Sequence, residues 1–127
     1  MKYLLDTHTI LWFFDHVDKL SETALKNILD PANDKYVSII SAWELAIKIS
    51  IGKLKFDGGV KNFFHIINEN GFKVHPMKEE YLEKVETLPF IHHDPFDRLI
   101  IATAIIEEMS VITADENICK YSVSWLW

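Results

Sequence analysis

The chain reads as short apolar blocks separated by polar and turn-forming residues. Lys2 to Leu5 is a brief apolar run that stops at Asp6. Thr9 to Asp15 carries Ile10, Leu11, Trp12, Phe13 and Phe14 and predicts a helix. Ser21 to Leu29 predicts a second, capped by Ser21 and stopped by Asp30-Pro31. Tyr36 to Ile40 is rich in β-branched residues and predicts a strand. Ser41 to Ile51 predicts a helix closed by Gly52, and Lys61 to Asn70 another ending at Gly71. Phe72 to His75 predicts a strand ended by Pro76, and Glu79 to Leu88 a helix before Pro89. Pro95 to Met109 predicts a long helix, apolar nearly all round and therefore interior. Ser110 to Thr113 predicts a short buried strand, followed by a helical turn from Glu116 and a last strand near Tyr121 to Trp125.

Short apolar strands alternating with helices require a parallel sheet covered on both faces. The expected architecture is a three-layer α/β/α sandwich. No repeat, low-complexity stretch or linker interrupts it, so residues 1–127 are read as one domain. Hydrophobic residues at 49% and charged residues at 25% are ordinary for a globular chain. Runs such as Leu99 to Ile106 fall short of a membrane span, and the N-terminal run is too short for a signal peptide. The single cysteine, Cys119, cannot form an internal disulfide. A cytoplasmic location is expected. The net charge of −6 argues against gripping nucleic acid through a broadly basic surface. It permits a protein whose acids gather where cations neutralise them.

The acids fall at telling places. Asp6 follows Tyr3-Leu4-Leu5, Glu44 lies just after Tyr36 to Ile40, and Asp115 follows Val111 to Ala114. In a parallel sheet all strands end along one edge, where open α/β folds bind ligands. Asp97 opens the long apolar helix and joins them if that helix starts at the same edge. Carboxylates that close raise one another's pKa unless a cation intervenes. An all-oxygen ligand set, with no cysteine and no spaced histidine motif, favours Mg²⁺ or Mn²⁺. Such ions act on phosphate esters, where they activate a water and stabilise the leaving oxygen.

Each acid also has a plainer explanation. Ser41-Ala42-Trp43-Glu44 is a capping box in which Glu44 only satisfies the helix start. Asp94-Pro95-Phe96-Asp97 opens a helix with Asp94 as N-cap and Pro95 at the first position. Asp6 and Asp115 are capping residues by the same logic. Capping explains each acid singly but not their common edge.

The segments Leu4-Leu5-Asp6-Thr7-His8, Ser41 to Lys48, His93-Asp94-Pro95-Phe96-Asp97-Arg98 to Ala102, and Thr113-Ala114-Asp115-Glu116 occur in that order. Together they resemble the motifs of PIN-domain proteins, specifically VapC-type toxins of toxin–antitoxin pairs, over essentially the whole chain. The resemblance implies a five-stranded parallel sheet and metal ligation by Asp6, Glu44, Asp97 and Asp115. It implies endonucleolytic cleavage of RNA with Mg²⁺ or Mn²⁺, with Thr113 supporting the site through its hydroxyl. It also implies a homodimer held inactive by a cognate antitoxin.

Other residues remain open at this level. Arg98 either neutralises a phosphate near the metals or pairs with Asp94 or another acid at its helix start. Lys48, Lys53 and Lys55 either contact an RNA backbone or solvate a helix end. His92-His93 is read as a loop pair, because adjacent residues rarely share one metal. His8 is read as a helix-start residue beside the site. Trp12, Phe13, Phe14, Phe63, Phe64 and Trp125 are read as core or dimer interface, and Cys119 as structural. Two rivals to a ribonuclease stay in view. One is a non-catalytic module whose acidic groove docks a partner peptide. The other is a phosphoacceptor domain, disfavoured because a single Asp6, and no acidic pair, follows the first strand.

Overall fold

A computed structural model describes residues 1–127. Five strands and seven helices alternate: β1 (Lys2–Leu5), α1 (Thr7–Asp15), α2 (Glu22–Leu29), β2 (Asp34–Ser38), α3 (Ile39–Ser50), α4 (Gly59–Glu69), β3 (Lys73–His75), α5 (Glu79–Thr87), α6 (Pro95–Glu107), β4 (Ser110–Ile112), α7 (Glu116–Cys119) and β5 (Trp125–Leu126). The sheet is parallel throughout, in the order β3-β2-β1-β4-β5. This is the expected α/β/α sandwich. No helix is long and apolar enough to cross a membrane.

The two-residue period of the strands builds both cores. Tyr3, Leu5, Val37 and Ile112 face one side, where α1, α2, α3 and α4 cover them with Ile10, Ile28, Leu45, Phe63 and Ile67. Leu4 and Val111 face the other, beneath Ile100, Ile101, Ala104 and Tyr81 of α6 and α5. Leu4 and Leu5 are neighbours with no exposed surface, yet they serve opposite layers. Each such side chain gains about 1.5–3 kcal/mol from burial. That is why a four-residue run suffices for the central strand.

Strand β1 is central because successive connections run opposite ways from it. The chain steps from β1 to β2 and β3 on one side, then returns through α5 and α6 to β4 on the other. The reversal leaves a crevice between the carboxyl ends of β1 and β4, the place where ligands bind in this class of sheet.

Several boundaries differ from expectation. Strand β2 ends at Ser38 rather than Ile40, and α3 begins at Ile39. The Ser38 hydroxyl accepts the Ile40 N–H at 3.0 Å and is the N-cap. Ser41 lies within the helix, fully buried, and accepts a hydrogen bond from the Thr7 hydroxyl at 2.9 Å. The Ser41–Glu44 capping box therefore does not exist. Helix α1 starts two residues early because Asp6 caps it, and the last strand is Trp125–Leu126, later than expected. Asp94 does cap α6, accepting from the N–H groups of Phe96 and Asp97, with Pro95 behind it.

Candidate metal centre

Asp6 is the last residue before α1 and is 4% exposed. Its Oδ1 accepts the Thr9 N–H at 2.7 Å, and its Oδ2 accepts the Thr113 hydroxyl from across the crevice. The same Thr113 oxygen accepts the Asp115 N–H at 3.0 Å. One hydroxyl thus links the acid after β1 to the backbone of the acid after β4. Burial pushes the Asp6 carboxyl above the usual carboxylate range, against the Thr113 and Thr9 hydrogen bonds.

Glu44 enters from α3, six residues beyond the cap, and is also 4% exposed. Its Oε2 receives Lys48 Nζ at 2.8 Å, while Oε1 is buried with no hydrogen-bond partner at all. An orphaned carboxylate oxygen at this depth costs about 1–3 kcal/mol or more unless something binds it. Asp97, in the first turn of α6, is pushed up to about 7. Burial is the main cause, and the charges of Asp94, Asp6 and Glu44 add to it while His92 opposes it. Asp6, Glu44 and Asp97 therefore share one electrostatic environment, with Asp94 at its edge.

His92 completes the cluster. Its Nε2 lies 2.9 Å from Asp115 Oδ2 and 3.1 Å from Asp97 Oδ2. Potential ligand atoms of His92, Asp97 and Asp115 all fall within 4.8 Å of one another. On the other side of the ring, Nδ1 accepts the Asp94 N–H at 3.1 Å. A nitrogen that accepts carries no proton, so the neutral ring has its hydrogen on Nε2, facing the two carboxylates. In this geometry His92 is a donor that holds the acids in place. Burial pushes Asp115 up, but the His92 and Asn117 hydrogen bonds outweigh it and leave the carboxyl below its ordinary value.

Residues 3–123 match the family model for the PIN domain. The chain belongs to the PIN domain family. No curated protein matches it in sequence. Its fold is similar to that of a chain in the VapBC2 structure from Rickettsia felis bound to a promoter DNA fragment, at 17% identity and TM-score 0.74, covering 99% of this chain and 98% of that one. VapBC-1 from nontypeable Haemophilus influenzae gives 18% identity and TM-score 0.69, covering 99% and 97%. DNA-bound VapBC from Salmonella typhimurium gives 14% identity and TM-score 0.70, again covering 99% and 97%.

Two placements in this PIN domain differ from what its sequence implies. Arg98 neither faces the acids nor pairs with Asp94. It is turned inward, 9% exposed, and donates to the carbonyls of Pro89, Val85 and Leu88 and to the Tyr121 hydroxyl oxygen. That oxygen also accepts the N–H groups of Ile91 and His92, at 3.1 and 2.8 Å. Arg98 and Tyr121 together fix the loop that carries His92. The second placement is His92 itself, which the sequence reading set aside with His93. The pair splits: His93 stacks on Phe90 with centroids 4.5 Å apart, and only His92 turns toward the acids. Adjacent positions on an extended loop point to opposite sides. The one signal available in the sequence was proximity to Asp94-Pro95-Phe96-Asp97.

Proposed function

We propose that this PIN domain is a metal-dependent endoribonuclease acting as the toxin of a toxin–antitoxin pair. The observation that carries the reading is the convergence of Asp6, Glu44, Asp97 and Asp115 with an unpartnered buried oxygen on Glu44 and a raised Asp97. Crowded hard oxygen donors of this kind fit Mg²⁺ or Mn²⁺, bound directly or through water. When bound, such an ion makes water a stronger nucleophile and stabilises charge on the leaving oxygen. The chain's own residues supply orientation. Thr113 holds Asp6, Lys48 holds one oxygen of Glu44 and leaves the other free, and His92 spans Asp97 and Asp115.

The similar solved structures are described as VapBC complexes, which supports a VapC-type toxin controlled by a cognate antitoxin. A homodimer is supported by an apolar face between α3 and α4 on which the exposed Trp43 stands among the half-buried Ile39, Val60 and Phe64.

The test is cleavage of RNA by the purified chain. Fragments with 5′-phosphate and 3′-hydroxyl ends should form with Mg²⁺ or Mn²⁺ and stop on addition of EDTA. Asp6→Asn should abolish cleavage while the circular dichroism spectrum persists. Wild-type protein that binds metal yet leaves every RNA intact would favour the alternative, an acidic groove that only docks a partner peptide.

A further inference from the structure

The acidic centre opens into a second, larger space. A cavity of about 250 Å³ at Asp6 and Asp115 is also lined by His8 and Trp12. The same His8 and Trp12 line a neighbouring cavity of about 510 Å³ between α1, α3 and the loop after α3. The two adjoin at His8 and Trp12, with carboxylates lining the one and lysines the other, and together they form a cleft.

The cationic end is formed by Lys48, Lys53 and Lys55, against the single acid Asp15. Lys48 is committed to Glu44 at 2.8 Å, whereas Lys53 and Lys55 are exposed and form no salt bridge. The backbone from Lys53 to Leu54 is held. The N–H groups of Lys53 and Leu54 both donate to the Lys48 carbonyl, at 2.9 and 3.2 Å, after a turn at Gly52 with φ of 75°. Leu54 packs inward between the two lysines, so they stand on the rim over an apolar floor. Trp12 forms the junction wall. Trp127 meets it edge-on at 6.0 Å, and Lys19 Nζ lies 5.7 Å from its ring centroid.

We infer that this cleft is a nucleotide subsite that leads single-stranded RNA out of the acidic centre, with backbone phosphates at Lys53 and Lys55 and a base against Trp12. The inference rests on the ribonuclease reading and adds the path of the substrate. Charge selects the occupant. A chain of net charge −6 repels a polyanion over much of its surface, so a strand is held best where a cationic wall adjoins the centre. The shape selects a single strand. An apolar floor beside an indole suits an unstacked base, which a duplex keeps inside its stack.

The experiment measures binding of a fluorescein-labelled oligouridylate by anisotropy across a potassium chloride series, in EDTA so that nothing is cut. The proteins are wild type, Lys53→Gln/Lys55→Gln, Trp12→Leu and, as a control on the outer surface of α2, Lys26→Gln. Removing two phosphate contacts should flatten the slope of log affinity against log salt by about 1.4. Trp12→Leu should weaken binding by about 5- to 150-fold and leave the slope alone. Lys26→Gln should match wild type, and a duplex of the same length should bind more weakly. Equal slopes for wild type and the lysine variant, or the same loss in the control, overturn the subsite. So does displacement of the RNA by polyglutamate at lower concentration than by unlabelled RNA, which would assign the cleft to an acidic peptide. Cleavage decides the other question separately. Slope-dependent binding without cleavage removes the ribonuclease and keeps the cleft, whereas cleavage with an unchanged slope does the reverse.

Discussion

Thr113 donates its hydroxyl to Asp6 from 107 positions away in sequence, and the same oxygen accepts the Asp115 N–H. Both partners lie in the crevice between β1 and β4. Replacing Thr113 with Val keeps the shape but strands a buried Asp6 oxygen and a backbone N–H. The expected cost is about 1–3 kcal/mol in urea denaturation, with Thr113→Ser close to wild type. Carbon-detected NMR titration should show the Asp6 carboxyl rising further in Thr113→Val, because a hydrogen bond that opposes the effect of burial is gone.

Asp97 predicts a pH signature for the metal-free fold. Its carboxyl is raised from the ordinary 3.8 to about 7. A raised folded-state pKa contributes stability that is fully present below the unfolded value and is lost as pH rises through the folded one. In EDTA, Asp97→Asn should therefore gain on wild type between about pH 4 and 7 and hold the gain at pH 8. A difference on the order of 1–2 kcal/mol, several degrees in Tm, is expected there by scanning calorimetry. A Tm difference that does not change with pH would contradict the assignment. Activity should be lost at every pH.

His92 should matter through the acids it holds. His92→Ala leaves Asp97 and Asp115 without their common donor. Supporting contacts of this kind are typically worth about 10- to 100-fold in metal affinity. Titration with Mn²⁺ followed by electron paramagnetic resonance should show that loss, with the ranking of Mg²⁺ against Mn²⁺ unchanged. A reordered metal preference would instead make the imidazole a ligand.

Arg98→Lys should fail as a conservative change. A single ammonium cannot reproduce a fork spread over three carbonyls and the Tyr121 oxygen. The expected loss is about 2–4 kcal/mol, with a fall in Tm on the order of 10 °C. Tyr121→Phe should share part of it, since it removes the same junction.

The layered sheet was legible because the inner strands β1 and β4 bury apolar residues on both faces, a pattern that a doubly covered parallel sheet explains. The common edge of the acids followed from counting which residue comes next after each strand. Helix starts were harder to read. Ser38 and Ser41 are equivalent caps by residue type, and the choice falls to Ser38 because Ser41 is taken by Thr7, 34 positions earlier. Arg98 was illegible for a similar reason. Its position after Asp97 suggests a role among the acids, while its direction is set by Tyr121 and by carbonyls at the end of α5 and in the loop after it. Local composition carries no record of either contact.

The placement of β4 beside β1 also governs when a competent molecule first exists. Until the ribosome has made Ser110 to Asp115, Asp6 has no hydroxyl across the crevice and the central strand has an open edge. A nascent chain that ends between Asp97 and Ser110 carries Asp6, Glu44 and Asp97 without the strand that joins them to Asp115. Assembly of the centre therefore waits on β4, whose arrival both closes the open edge of β1 and delivers the hydroxyl that holds Asp6.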